Sequence, residues 1–181
     1  MRFAKTALGI AVLGSLLFSG ASAFGATAPA GGSINIFATP VGMGAKGTIV
    51  VTGAIGDFGK TLTINQNGTT NANGNYVKIT LKKGAFEVNS TALNAAANKL
   101  QPTNNSTTCS ASGSVTGPVT LFNGTGLYQG IAGTVNITET FAFIGPLYKS
   151  GPKKGQCNES NNAKALAQFG SITGTGTVSF G

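Results

Sequence analysis

The chain has no histidine and no tryptophan, and of its 181 residues four are acidic and two are cysteine. Each shortage excludes a class of chemistry. Without histidine there is no Ser-His or Cys-His nucleophile pair. Two cysteines alone do not make a zinc site, and no cofactor or metal is expected. The carboxylates Asp57, Glu87, Glu139 and Glu159 form no spaced pair, so a glycosidase-type acid and base has no support in the pattern, although partners distant in sequence can meet in space. Charged residues make up 9% of the chain, so solubility rests on Asn, Thr, Ser and Gly, a composition that suits an extracellular β surface.

Long hydrophobic runs are also lacking. The run Ala7–Phe18 is short for a bilayer span. It follows the basic Arg2 and Lys5 and precedes Ala21-Ser22-Ala23, the arrangement of an export signal with a small-x-small cleavage site. Such a short signal suggests a bacterial source. Residues 1–23 are therefore read as a signal peptide, 24–32 as a flexible Ala/Gly-rich lead-in and 33–181 as a single β domain. The mature protein is expected to be secreted or at the cell surface, with no transmembrane segment after signal cleavage. Cleavage after Ala23 leaves 158 residues with a net charge of +6, enough for one domain that buries about two-thirds of its unfolded surface. No arginine remains, so bidentate readout of bases and phosphates is lost and nucleic acid is not an expected partner. A basic surface still attracts anionic cell-wall polymer or polysaccharide.

What is present is alternation. From Asn123 to Ile144, Leu127, Ile131, Val135, Ile137, Phe141 and Phe143 occupy odd positions, and Tyr128, Thr134, Asn136, Thr138 and Thr140 even ones. A period of two gives one buried and one wetter face, so the stretch reads as one long strand or two strands meeting at a bend. Shorter signals cover Ser33–Phe37, Gly47–Gly53, Val115–Phe122 and Ser171–Phe180. Lys60–Asn65 reads as Leu62 and Ile64 in, Thr61 and Thr63 out, after a turn at Gly56-Asp57-Phe58-Gly59. In Asn75–Asn89 the apolar register changes between Val77-Ile79-Leu81 and Phe86-Val88, which points to a β-bulge or bend at Gly84. Ser90–Leu100 is the one helix, with Ser90 as its cap and Pro102 beyond its end. About eight short strands predict an all-β fold, an antiparallel β-barrel with a β-sandwich as alternative.

Cys109 and Cys157, an even count in an exported chain, predict a disulfide. Glu139 breaks the pattern by sitting in the apolar register. Unbroken alternation would bury it with a raised pKa, and the penalty for an unpaired buried carboxylate favours a bend between Asn136 and Thr140 that returns it to solvent. Lys149, Lys153 and Lys154 cluster in a Gly/Pro loop next to Cys157, a candidate binding site for phosphate or carboxylate groups.

At Gly124-Thr125-Gly126-Leu127-Tyr128-Gln129-Gly130-Ile131-Ala132-Gly133, with a later Gly174-Thr175-Gly176-Thr177-Val178 strand, the chain resembles the allene oxide cyclase and dirigent group of secreted small β-barrels. It also looks like a family of secreted actinobacterial proteins. The resemblance implies an eight-stranded barrel with a central cavity. No acid or arginine constellation matches a family catalytic residue. Three functions follow as expectations. The first is a secreted, non-enzymatic binding or cell-surface protein that takes anionic polymer or a small hydrophobic ligand. The second is a barrel isomerase or cyclase using Glu139 or Tyr128 as acid or base, and the third a structural envelope component. An interior open to Glu139 or Tyr128 favours the second; one filled by side chains excludes it.

Overall fold

A computed structural model describes residues 30–40, 45–160 and 162–181. The expected signal peptide, 1–23, and residues 24–29 of the expected lead-in lie outside the described residues. Gly32, placed at the end of the lead-in by sequence, already pairs with Val178. Among the described residues the elements are β1 Gly32–Pro40, β2 Lys46–Gly53, β3 Asp57–Ile64, β4 Tyr76–Leu81, β5 Gly84–Asn89, α1 Thr91–Ala97, β6 Thr103–Asn105, β7 Ser110–Gly126, β8 Ala132–Ile144 and β9 Ala167–Ser179.

Consecutive strands pair antiparallel from β1 to β5 and from β7 to β9, and β9 returns to β1. β5 also pairs with β7, which closes eight strands into a barrel; β6 stays outside and pairs with β7 alone. One ladder runs round the whole wall, so the fold is a barrel and not a sandwich. Alternation places Ile34, Ile36, Ile49, Val51, Ile79 and Val135 in a single buried cluster.

Four sequence expectations need correction. First, β3 has the opposite phase. Val51 pairs with Asp57 and Ile49 with Gly59, and Thr61 and Thr63 pair with Ile79 and Val77. Paired residues share a face, so Asp57, Gly59, Thr61 and Thr63 look inward while Leu62 and Ile64 look outward. Ile64 is still buried, because the chain after it turns back into an antiparallel bridge with Thr70. Second, Asn75–Asn89 is two strands joined by a tight turn at Lys82-Lys83, with Val77 opposite Val88 and Ile79 opposite Phe86. A turn keeps both apolar sets inside without a bulge at Gly84, although β5 shifts register against β7 between Ala85 and Glu87.

Third, of the two readings of Asn123 to Ile144 the structure has the two strands, but they meet at a turn over 127–131 and not within the alternating run. β7 stops at Gly126 and β8 starts at Ala132. Tyr128, on the expected wetter register, is fully buried, while Leu127 is only half-buried. The bend expected between Asn136 and Thr140 is absent: β8 keeps uninterrupted register with both β7 and β9. Fourth, Ser90 does not cap α1 through its side chain; its hydroxyl donates to the Asn75 carbonyl, and Asn89 Oδ1 accepts from the Thr91 amide. Leu93 anchors the helix to the wall against Gly117 of β7.

Cys109 and Cys157 are disulfide-bonded, with a 2.02 Å S–S distance. The bond ties the residue before β7 to the loop after β8. Strands β7, β8 and β9 outlast their neighbours. β5 follows β7 no further than Asn89 opposite Thr120, and β1 follows β9 no further than Ala38 opposite Ile172, whereas the β7–β8–β9 ladder runs on to Ser110, Ile144 and Ala167. The sheet of β7, β8 and β9, edged by the short β6 along Ser110–Ser112, therefore projects past the rim.

Candidate functional site

The two ends of the barrel are built differently. One is plugged. The turn after β7 folds Tyr128 under the barrel wall, where its hydroxyl donates to Asp57 Oδ2 at 2.5 Å. The same oxygen accepts from the Lys83 amide at 3.0 Å, and Oδ1 accepts from the Phe58 amide at 2.7 Å. Phe86 meets the Tyr128 ring edge-on at 5.7 Å between centroids, and Phe180 leans on it at 6.5 Å. Two glycines of the turn that begins at Asn123 make this plug possible. Gly126 has φ +62, and a Cβ on Gly124 would collide with the Tyr128 carbonyl.

Burial alone pushes the Asp57 carboxyl up. The Tyr128 hydroxyl and the amides of Phe58, Lys83 and Lys82 outweigh it and hold the group below its ordinary value. Tyr128 shifts upward through burial and then through its bond to the Asp57 carboxylate. The pair is buried and its polar atoms are partnered within the protein.

The other end is open. A cavity of about 400 Å³ lies inside the barrel there, beneath α1. Its walls are mostly aliphatic, including Ile36, Ile49, Val77, Ile79, Leu93 and Ile172; Thr61 and Thr63 add hydroxyls, and Asn73, Asn75, Asn94 and Lys46 line the mouth. Glu139 reaches this cavity from β8, between Val115 and Ile172 on the flanking strands. It is half-buried, and burial is the sole cause that raises its pKa. Among the described residues no hydrogen-bond donor or charge partner offsets that burial.

The structure thus separates the candidates named from sequence. Glu139 is in the cavity; Tyr128 is at the opposite end with Asp57, so the two cannot act on one ligand. Lys149, Lys153 and Lys154 lie in an exposed hairpin outside the barrel, closed by a bridge between Leu147 and Cys157, with Lys153 Nζ 5.8 Å from the Tyr148 ring centroid. Asp57 was missed because Gly-Asp-Phe-Gly is turn chemistry; the signal available was its register, shared with the inward Gly59, Thr61 and Thr63. No His/Cys/Asp/Glu cluster suited to a metal ion occurs among the described residues, and no helix there is long and apolar enough to cross a membrane. Protein-family models, curated proteins and solved structures give no match to the chain, so the functional reading rests on the geometry.

Proposed function

We propose that the barrel is a binding protein for a small, largely apolar molecule that carries an amine or another hydrogen-bond donor. The observation that carries this is Glu139, a carboxyl without a partner on the aliphatic wall of an open cavity. Small-molecule sites combine apolar lining with few placed polar groups, in volumes of roughly 300–1,000 Å³. A buried carboxylate without donors is destabilising unless something supplies one, and a ligand amine would.

The test uses displacement of the fluorescent probe N-phenylnaphthylamine by n-decylamine and n-decanol. Parent protein is expected to prefer the amine, and Glu139→Gln to lose about tenfold or more of that preference. Thr63→Phe, which fills the cavity from an inward position, is expected to abolish probe binding. Equal affinity for amine and alcohol, or probe binding unchanged by Thr63→Phe, refutes the reading.

An isomerase or cyclase reading draws on the same carboxyl, since a raised pKa in an apolar cavity suits a general acid or base. It lacks a second catalytic group, because Tyr128 is committed to Asp57. A purely structural role fits the filled half of the barrel and leaves the cavity without a purpose.

A further inference from the structure

The outer surface of β7, β8 and β9 changes character at the barrel rim. Along the barrel its outward positions carry short polar side chains, as in the row Thr120, Thr134, Thr177 and the row Thr116, Thr138, Thr173. Past the rim the β8–β9 part of this coat becomes apolar, with Phe169 61% and Ile144 44% exposed, while β7 keeps Ser110 and Ser112 there. The adjoining loop ends add Leu166 at 72% and Leu147 at 49%, and Phe143, on the opposite face of the same tip, is 39% exposed. They are held as one tip: Ala142 pairs with Phe169 and Phe143 with Gln168, and the Leu166 amide donates to the Ile144 carbonyl at 2.7 Å. An exposed cluster of this kind marks an interaction surface.

Charge says which. The loop joining β8 to β9 carries Lys149, Lys153, Lys154 and Lys164, against Glu159 as its one acid. The disulfide and the bond from the Gly145 amide to the Cys109 carbonyl fix its base to the sheet. Large apolar side chains flanked by lysines, on a fixed projection, are what an anionic lipid surface binds: the apolar groups enter the headgroup–acyl boundary and the ammonium groups meet phosphate. We propose that the projecting end of β7–β8–β9 docks the protein on an anionic lipid bilayer. This is independent of what the cavity holds. The other exposed apolar row, Phe37, Val50 and Phe58 on adjacent strands, also has a lysine beside it, Lys82 Nζ 5.4 Å from the Phe58 ring centroid, but it lies flat on the barrel wall and not on a projection, so it serves as the comparison.

The experiment is flotation of the folded protein with vesicles of phosphatidylglycerol and phosphatidylcholine in equal parts, and with phosphatidylcholine alone. Parent protein is expected to float with the anionic vesicles and not with the neutral ones. The triple change of Lys149, Lys153 and Lys154 to Gln should weaken this by about a hundredfold and reduce its salt dependence. Leu166→Asn with Phe169→Asn should weaken it by about tenfold or more, and Phe58→Ser should leave it unchanged. Because the chain has no tryptophan, Phe169→Trp gives a single reporter, whose emission should shift to the blue on anionic vesicles. A soluble polyanion such as polyglutamate should give no shift. Equal flotation with neutral vesicles overturns the proposal. So does flotation of the Leu166/Phe169 double variant at parent level; with polyglutamate binding lost in the lysine triple, that result assigns the loop to a soluble anionic polymer. A loss in Phe58→Ser as large as in the double variant also overturns it.

Discussion

The two acids inside the barrel have opposite fates. Asp57 is the less solvent-exposed of the two, yet its pKa falls while that of Glu139 rises. The difference is donors. Asp57 accepts from a hydroxyl and backbone amides; Glu139 is left to burial alone. Where a buried charge is fully answered by the protein, it does structural work, and where it is not, it is available to something else. The plugged end therefore serves stability, and the open end is the candidate site.

Removing the plug should have the largest effect. Tyr128→Ala takes out a fully buried aromatic ring and strands the Asp57 carboxylate, so a loss of about 3–5 kcal/mol is expected in urea denaturation. Tyr128→Phe keeps the ring and isolates the hydrogen bond, for about 1.5–3 kcal/mol. A Phe variant as damaging as the Ala variant would mean that the hydroxyl, not the ring, makes the plug.

Next comes the disulfide. Its 48-residue separation corresponds to about 4 kcal/mol in the chain-entropy account, an upper figure in practice. Reduction should lower the melting temperature while far-UV circular dichroism at 25 °C keeps its β signature, because the barrel ladder closes without it. Loss of the sheet on reduction would show that the projecting strands hold the barrel together.

The acid limb of stability separates the two carboxyls. Asp57, with its folded pKa below the usual 3.8, contributes stability above that value and loses it as pH falls through the folded pKa. Asp57→Asn should therefore flatten the loss of stability between roughly pH 4 and the acid transition. Glu139 has the reverse sign: its folded pKa lies above 4.5, so its contribution is complete below that pH and fades as pH rises through the folded value. The smallest effect follows. Glu139→Gln should be modestly more stable than the parent at pH 7, with the two converging below pH 4.5. A Gln variant that is less stable at pH 7 would reveal a partner for the carboxylate.

Much of the fold was legible because it depends on period. Val77-Ile79-Leu81, Ile49-Val51 and Ile172 to Val178 alternate strongly enough to announce strands, and a single pair of cysteines points to a disulfide. The candidate site was harder, because it depends on phase and on contacts far apart in sequence. Thr61-Leu62-Thr63-Ile64 alternates equally well in either phase, and the ladders to β2 and β4 choose the polar set for the interior. Tyr128 and Asp57 are separated by 71 positions, and each sits in a glycine-rich segment that reads as a turn. Glu139 could be placed only once β8 was known to run straight, since the rule against unpaired buried carboxylates argued for a bend that the protein does not make.

The pairing of β1 with β9 makes the wall a ring with no first or last member. An open sheet frays from its edge strands inward, but here every barrel strand has two neighbours and detaching any one of them must break two ladders. Amide exchange in the middle of β1 and β9 should then be as slow as in β3, the strands at the two ends of the barrel sequence being no more exposed than those between them. In such a ring, solvent enters by the mouth and not by a seam.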